Sequence, residues 1–173
     1  DPTPSALPPV SILKPLRGLD PRFGEAIRSH AQLDYPSYEV LFGVSDPADP
    51  ALPEVLRLLQ EFPDRIRLVM VSTGAPNGKV GALIDLAKEA RHPLWLVNDS
   101  DIRVPPDYLR RLAGWLEDPA VGLVTCLYRA TADHWPGRWE ALGIATDFTP
   151  GVLVAPLAGV REFALGSTLL FRA

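Results

Sequence analysis

The residues with the clearest chemical potential are Asn98-Asp99-Ser100-Asp101, two carboxylates one residue apart at the end of the apolar run Pro93–Val97. A buried strand seldom ends in two carboxylates for packing reasons, because an unpaired buried charge is costly. On a turn at a strand end, Asp99 and Asp101 can face solvent and share a hard divalent cation such as Mg²⁺ or Mn²⁺, which takes oxygen ligands. Water and a diphosphate complete such a coordination shell. The ion then stabilises negative charge that builds on a leaving diphosphate. A lone D-x-D also has a plainer use, an Asx cap on the following backbone.

Other polar positions stand in similar places. Asp46 follows the run Tyr38–Val44 and can accept from a base or a ribose, or simply form a Ser-Asp-Pro turn. Asn77-Gly78-Lys79 opens a helical pattern, where free N–H groups and the macrodipole favour anions; the alternative is an Asn-Gly turn with a solvated lysine. Asp147 is a candidate acceptor-side carboxylate, against a role as a helix-end or turn aspartate. His30, His92 and His134 have no metal-ligand spacing. Trp135 and Trp139 lie one helical turn apart and suit either packing or a membrane interface. Gly166-Ser167 can bring backbone close to a donor sugar or form an ordinary strand irregularity.

The elements that position these residues read as an alternation. Strands are expected at Val10–Leu13, Tyr38–Val44, Ile66–Val71, Pro93–Val97 and Val121–Tyr128. Helices are expected between them at 20–33, with Asp20 as N-cap, then at 50–62, 78–91 and 106–116. Leu52, Val55, Leu56 and Leu59 share one face of the second helix. Val80, Leu83, Ile84 and Ala87 share one of the third. Such alternation predicts an α/β fold with parallel strands, right-handed crossovers and helices on both faces. Ligands of open α/β sheets sit beyond the carboxyl ends of the strands, so Asp46, Asp99 and Asp101 fall on one edge. Beyond Tyr128 the pattern weakens: 132–145 suits a helix, 149–160 is apolar without a clear period, and 163–172 suits a last strand.

With 173 residues the chain is expected to form one domain with a substantial core. Its net charge of −4 and the lack of a Lys/Arg block argue against a nucleic-acid surface. Cys126 is the single cysteine, so no internal disulfide forms. No apolar stretch reads as approaching the roughly 20 residues of a membrane span. Residues 1–9 form a Pro-rich extended segment. The chain begins at Asp1 rather than Met, and both ends read as cut.

The stretches SILKPLRGLDP (Ser11–Pro21), LDYPSYEVLFGVSDPADPA (Leu33–Ala51), NGKVGALIDLAKEA (Asn77–Ala90), LWLVNDSDIRVPPDYL (Leu94–Leu109) and GLVTCLYRA (Gly122–Ala130) resemble the ceramide glucosyltransferase-type glycosyltransferases. ATDFTPGVLVA and ALGSTLLFR resemble most the bacterial members associated with hopanoid biosynthesis. This resemblance covers about Val10 to Ala173. It implies a GT-A fold, a UDP-sugar donor, a divalent metal, inversion, and a lipid hydroxyl acceptor at a membrane, with the catalytic domain on the cytoplasmic side. It assigns Asp46 and Lys79 to the nucleotide, and Asp99 and Asp101 to the metal. The family's downstream general-base aspartate and its Q/R-x-x-R-W motif have no match here; Arg138-Trp139 is too early and has Trp135 three before Arg138. The expectation is a donor-binding chain whose transfer activity and membrane segments depend on parts outside it.

Three other classes fit the residues less well. A sugar-nucleotide nucleotidyltransferase needs a Gly-rich phosphate loop after the first strand, where Lys14-Pro15-Leu16-Arg17-Gly18 stands. An aspartyl-phosphate phosphatase needs its nucleophile after the first core strand, whereas Asp99 follows the fourth. A non-catalytic binding module is favoured only by the missing base.

Overall fold

A computed structural model of the chain describes residues 6–72, 74–160 and 162–173. Of the Pro-rich leading segment, residues 1–5 lie outside the described residues, and 6–9 run without regular structure into the first strand. The strands are β1 (Val10–Leu16), β2 (Tyr38–Val44), β3 (Ile66–Met70), β4 (Leu94–Asn98), β5 (Leu123–Thr125) and β6 (Thr168–Arg172). The helices between the first five are α1 (Phe23–Ala31), α2 (Leu52–Glu61), α3 (Gly78–Glu89) and α4 (Tyr108–Trp115). A further helical stretch, α5 (Trp135–Gly143), a π-helical turn (Ile144–Phe148), α6 (Thr149–Val154) and a 3-10 turn (Ala155–Ala158), separates β5 from β6.

The six strands form one sheet in the order β3-β2-β1-β4-β6-β5. β1 is parallel to both β2 and β4, and β2 is parallel to β3. The chain therefore runs outward from β1 to β3 and then restarts on the other side of β1 with β4. That reversal is the topological switch point, where a crevice opens beyond the strand ends. The fold is the expected α/β, GT-A-like sheet, with one correction. β5 runs in the same direction as β4 but does not pair with it: β6 is inserted antiparallel between the two. β5 is also shorter than the apolar run that suggested it, because β6 offers it only three paired positions.

Period-two alternation distributes the core. Val10, Ile12, Val40, Phe42, Leu94 and Leu96 face α1, α2 and α4, with Ile27, Val55, Leu58, Leu109 and Leu112 packed on them. Leu13, Leu41 and Val97 face α3, against Ala82 and Leu86. Gly43 lets α3 come close, since a Cβ there would meet Leu86 Cδ1 at 3.0 Å. The apolar face expected for α3 is corrected accordingly. Gly81, Ala82 and Leu86 are buried, while Val80 and Ile84 are half exposed. Leu83 and Ala87 of the expected face do pack against the core, beside Gly81, Ala82 and Leu86. Leu56 of α2 is exposed, and Leu58 takes the buried place. Asp20 is not the N-cap of α1. Arg22 holds that position in a left-handed conformation with φ 60°, and Asp20 is free to act elsewhere.

The far end of the sheet, at the start of the strands, is held by one buried acid. Glu39 is 4% exposed and accepts from Ser11 Oγ at 2.7 Å, Arg67 Nη1 at 2.9 Å and the Arg91 N–H at 2.8 Å. Burial pushes its carboxyl upward, but these three donors more than offset that and hold it below its ordinary value. A depressed folded pKa gives stability that is present above the unfolded value and lost as pH falls through the folded one. Glu39→Gln is expected to cost about 2 kcal/mol at neutral pH. In urea titrations its deficit should shrink below pH 4.5, the ordinary glutamate value; a deficit independent of pH would show that charge is not the source.

Candidate functional site

The carboxyl ends of β1, β2 and β4 all point to one edge, and each carries a candidate residue. Lys14 stands on β1 and faces the α1 side, fully buried. Its Nζ donates to Asn98 Oδ1 at 2.8 Å and to the Asp99 carbonyl at 2.6 Å. His30 Nε2 of α1 lies at 3.5 Å. His30 Nδ1 is 2.9 Å from the Ala26 carbonyl, so Nδ1 carries the proton and Nε2 turns its lone pair to the amine. Burial holds His30 well below its ordinary pKa, reinforced by the Lys14 charge. Burial also pushes Lys14 down to about 7, against the opposing pull of Asp99 and Asp101. An amine that titrates near neutrality is thus held inside the core, immediately beneath the acidic turn.

Asn98 is the joint of this network. It receives Lys14 on its oxygen and donates from Nδ2 to the Ser167 carbonyl at 3.0 Å and to Thr168 Oγ1 at 3.1 Å. Thr168 Oγ1 shares a hydrogen bond of 2.8 Å with Tyr108 OH. Burial pushes that phenol far above its ordinary range. The chain Lys14-Asn98-Thr168-Tyr108 therefore ties β1, β4, β6 and α4 together just below the turn. Ser167 Oγ is, among the described residues, a buried polar atom without a partner.

Above this layer lie the predicted residues. Asp99 follows β4, is a third exposed on its side chain, and accepts an ion pair from Lys79 Nζ of α3. Lys79 is therefore joined to the acidic turn rather than only solvated. Asn77 caps α3, its side chain accepting from the Val80 N–H. Asp101 is exposed on the same turn. Ser100 Oγ donates to Asp20 Oδ2 at 3.1 Å, so the loop after β1 bonds to the loop after β4. On its other side that loop bonds to the loop after β2, where Gly18 N–H donates to Asp49 Oδ2 at 2.9 Å. Gly18 has φ 76°, which glycine adopts without a Cβ clash. Asp46 is exposed at the end of β2 and accepts from the Ala48 N–H, an Asx turn. Asp49, not singled out in the sequence, is the aspartate that braces the edge.

Asp147 stands apart from this network. It is exposed in the π-helical turn, and among the described residues no hydrogen bond or ion pair joins it to the acidic turn. The missed members are Lys14, His30, Asn98 and Thr168. Lys14 had one signal: a lysine inside a strand whose neighbours on both sides are apolar.

The whole chain, residues 1–173, matches Glycosyl transferase family 21, and the protein belongs to that family. It is 34% identical over 116 residues to ceramide glucosyltransferase 1 of Caenorhabditis elegans, covering 65% of this chain and 24% of that protein. It is 29% identical over 135 residues to the beta-monoglucosyldiacylglycerol synthase of Synechocystis sp., covering 76% of this chain and 28% of that one. The chain thus spans about a quarter of the length of these curated relatives. In three dimensions it resembles the mannosyltransferase PcManGT of Pyrobaculum calidifontis, solved with GDP-Man and Mn²⁺. The TM-score is 0.77 at 25% identity, over 99% of this chain and 46% of that one. Glucosyl-3-phosphoglycerate synthase of Mycobacterium tuberculosis shares the fold, with a TM-score of 0.61 at 18% identity, over 95% of this chain and 57% of that one.

The Lys14–Asn98 pairing is open to a double-mutant cycle. Asn98→Leu leaves the buried amine and Thr168 short of partners and is expected to cost about 3 kcal/mol. Adding Lys14→Met removes the stranded charge, so the double variant should be less destabilised than the sum by about 1–2 kcal/mol. Additive effects within about 0.5 kcal/mol, measured by urea unfolding, would mean that the two side chains do not depend on each other.

Proposed function

We propose that this chain is the donor-binding part of a transferase that moves a hexose from a UDP-sugar to a lipid hydroxyl with inversion. The observation that carries the reading is the meeting of Lys79 and Asp99 over a buried lysine at the switch point, in a chain of family 21. The relatives named above put glucose on ceramide or make a monoglucosyl lipid, which favours glucose and a lipid acceptor. The acceptor is a hydroxyl on a ceramide, diacylglycerol or hopanoid-type lipid, the last from the ATDFTPGVLVA and ALGSTLLFR stretches.

Asp99 and Asp101 are the residues that would hold Mg²⁺ or Mn²⁺. Their donor chemistry fits a hard ion, since both present carboxylate oxygens on a partly exposed turn. Among the described residues no group of three or more His, Cys, Asp or Glu gathers that could hold a metal. Two carboxylates therefore leave most of the shell to water and the diphosphate, as suits an ion that retains its waters. When bound, the ion supplies Lewis-acid stabilisation of the departing diphosphate. Asp46 and Lys79 frame the nucleotide, and Lys14 and Asn98 fix the backbone on which Asp99 and Asp101 stand. Asp147 remains the candidate acceptor-side carboxylate, and the base that deprotonates the acceptor lies outside the chain.

Calorimetric titration of UDP in Mn²⁺ and in EDTA tests this directly. Binding is expected only with metal, to be lost in Asp101→Ala with the circular-dichroism spectrum unchanged. Unchanged UDP affinity in that variant would overturn the metal assignment. Lys79→Met separates two roles of one lysine. Removing the competing cation from Asp99 should tighten Mn²⁺ alone, while losing a phosphate partner should weaken UDP by about tenfold. Parallel weakening of both would contradict the ion-pair arrangement.

A further inference from the structure

The helix between β5 and β6 contradicts the reading of this region as too short for a membrane. From Trp135 to Ala158 it runs unbroken for 24 residues, apolar enough by length and composition to cross a bilayer. Neither α5, the π-helical turn nor α6 contributes a buried residue. Trp135 is 68% exposed, Trp139 59%, Leu153 64% and Leu157 88%. These are the residues that elsewhere in the chain build the core. A helix apolar on most of its surface belongs either in a core or in lipid.

Its attachment decides between spanning and lying flat. At 1.5 Å per residue the 24 residues extend about 36 Å. Both ends return to one place. Thr125, the last residue of β5, donates from Oγ1 to the Leu165 carbonyl at 3.1 Å and accepts from the Leu165 N–H at 3.0 Å. From Ala158 to Leu165 the chain reaches at most about 25 Å, less than the ~30 Å hydrocarbon core. A spanning helix would leave that return inside the hydrocarbon, short of the far side and without backbone partners. Asp147 would also lie near the bilayer centre, where charge is expensive. Crossing is therefore excluded by the fold.

The same tethers set the helix along the edge of the active face. β5 ends, and β6 begins, on the edge that carries Asn98 and Asp99. Arg22 clasps both oxygens of Asp133, at 2.5 and 2.6 Å, just before the helix. Arg22 belongs to the loop whose Asp20 bonds Ser100 of the acidic turn. Tyr128 and Phe148 hold the helix middle at 5.8 Å between ring centroids. Trp135 and Trp139 stack edge to face at 5.7 Å at the leading end, an amphipathic pair suited to the headgroup layer.

We propose that Trp135–Ala158 lies flat in the headgroup layer of a lipid bilayer, without crossing it, and presents the acidic turn to that surface. A protein partner is disfavoured because the helix offers few polar side chains, and protein interfaces carry a hydrogen bond every 100–200 Å². The proposal deepens the lipid-acceptor reading above and rests on it for its purpose, though not for its geometry.

The test uses the whole chain with vesicles of phosphatidylcholine and phosphatidylglycerol. Wild type is expected to float with the vesicles. The variant Trp139→Glu/Leu153→Glu/Leu157→Glu, altered only at exposed positions, should partition at least tenfold less while keeping its circular-dichroism spectrum. Tryptophan emission should be quenched more by lipids brominated near the headgroup than near the chain end, and Trp135→Phe/Trp139→Phe should abolish that quenching. Failure of wild type to float, or stronger quenching from the bilayer centre, overturns the proposal. So does a self-association in sedimentation that the triple variant abolishes without any vesicle binding. Metal-dependent UDP binding measured on the same samples separates the readings: its survival without flotation overturns only the lipid surface, and its loss with flotation intact overturns only the donor site.

Discussion

A lysine amine buried among aliphatic side chains is the constraint on which the active edge depends. Lys14 has no solvent to hydrate it, so every polar atom around it must answer its charge. Asn98 and the Asp99 carbonyl do so directly, and Asp99 and Asp101 do so through their charge. The consequence is mechanical as well as electrostatic. A turn that could adopt many conformations is tied at its first peptide to the centre of the sheet. The carboxylates above it therefore stand on a turn whose backbone is held in place. In water the same interaction would be weak; the low-dielectric surroundings make it decisive.

That arrangement separates the local charge at the acidic turn from the charge of the whole chain. The net charge is −4, yet the face that matters is not governed by net charge. Lys14 lies beneath Asp99 and Lys79 beside it, so the turn is flanked by two amines of different accessibility. The buried one cannot leave and serves as fixed scaffolding. The exposed one can exchange partners and is free to follow a phosphate. A single lysine could not do both, because burial deep enough to fix the turn removes the amine from the ligand.

Much of this was legible from the sequence. Strands one to four and helices one to four follow from period-two and period-3.6 patterns. The sheet-edge rule placed Asp46, Asp99 and Asp101 on one edge. The site layer beneath was not legible, because Lys14, His30, Asn98 and Thr168 belong to four separate elements and meet only when β1, β4, β6 and α1 assemble. Nothing local distinguishes a lysine that closes a strand into solvent from one that turns into the core. The α3 contact face was read only in part: Leu83 and Ala87 pack on the core as expected, but hydrophobic periodicity weights large residues, and close helix-on-sheet packing brings in Gly81 and Ala82 in place of Val80 and Ile84. The direction of the strand after Val121 followed from the βαβ alternation, but its neighbour did not, because the antiparallel β6 that separates it from β4 comes from far along the chain.

That antiparallel strand also explains why the apolar helix can exist. Had β6 joined the parallel series, the crossover from β5 would have packed a helix back onto the sheet and buried it. With β6 antiparallel to its neighbours on both sides, the connection from β5 to β6 is a hairpin-type link, which imposes no crossover and no side. The intervening residues are released from the sheet faces and their apolar surface stays outward. The π-helical turn at Ile144–Phe148 widens the helix by one residue there. It does so where Gly143 and Pro150 would weaken a regular helix, and it rotates the second half relative to the first. The same strand inversion that supplies Thr168 to Asn98 beneath the acidic turn thus also supplies the exposed helix beside it, so the donor edge and the apolar surface are consequences of one topological step.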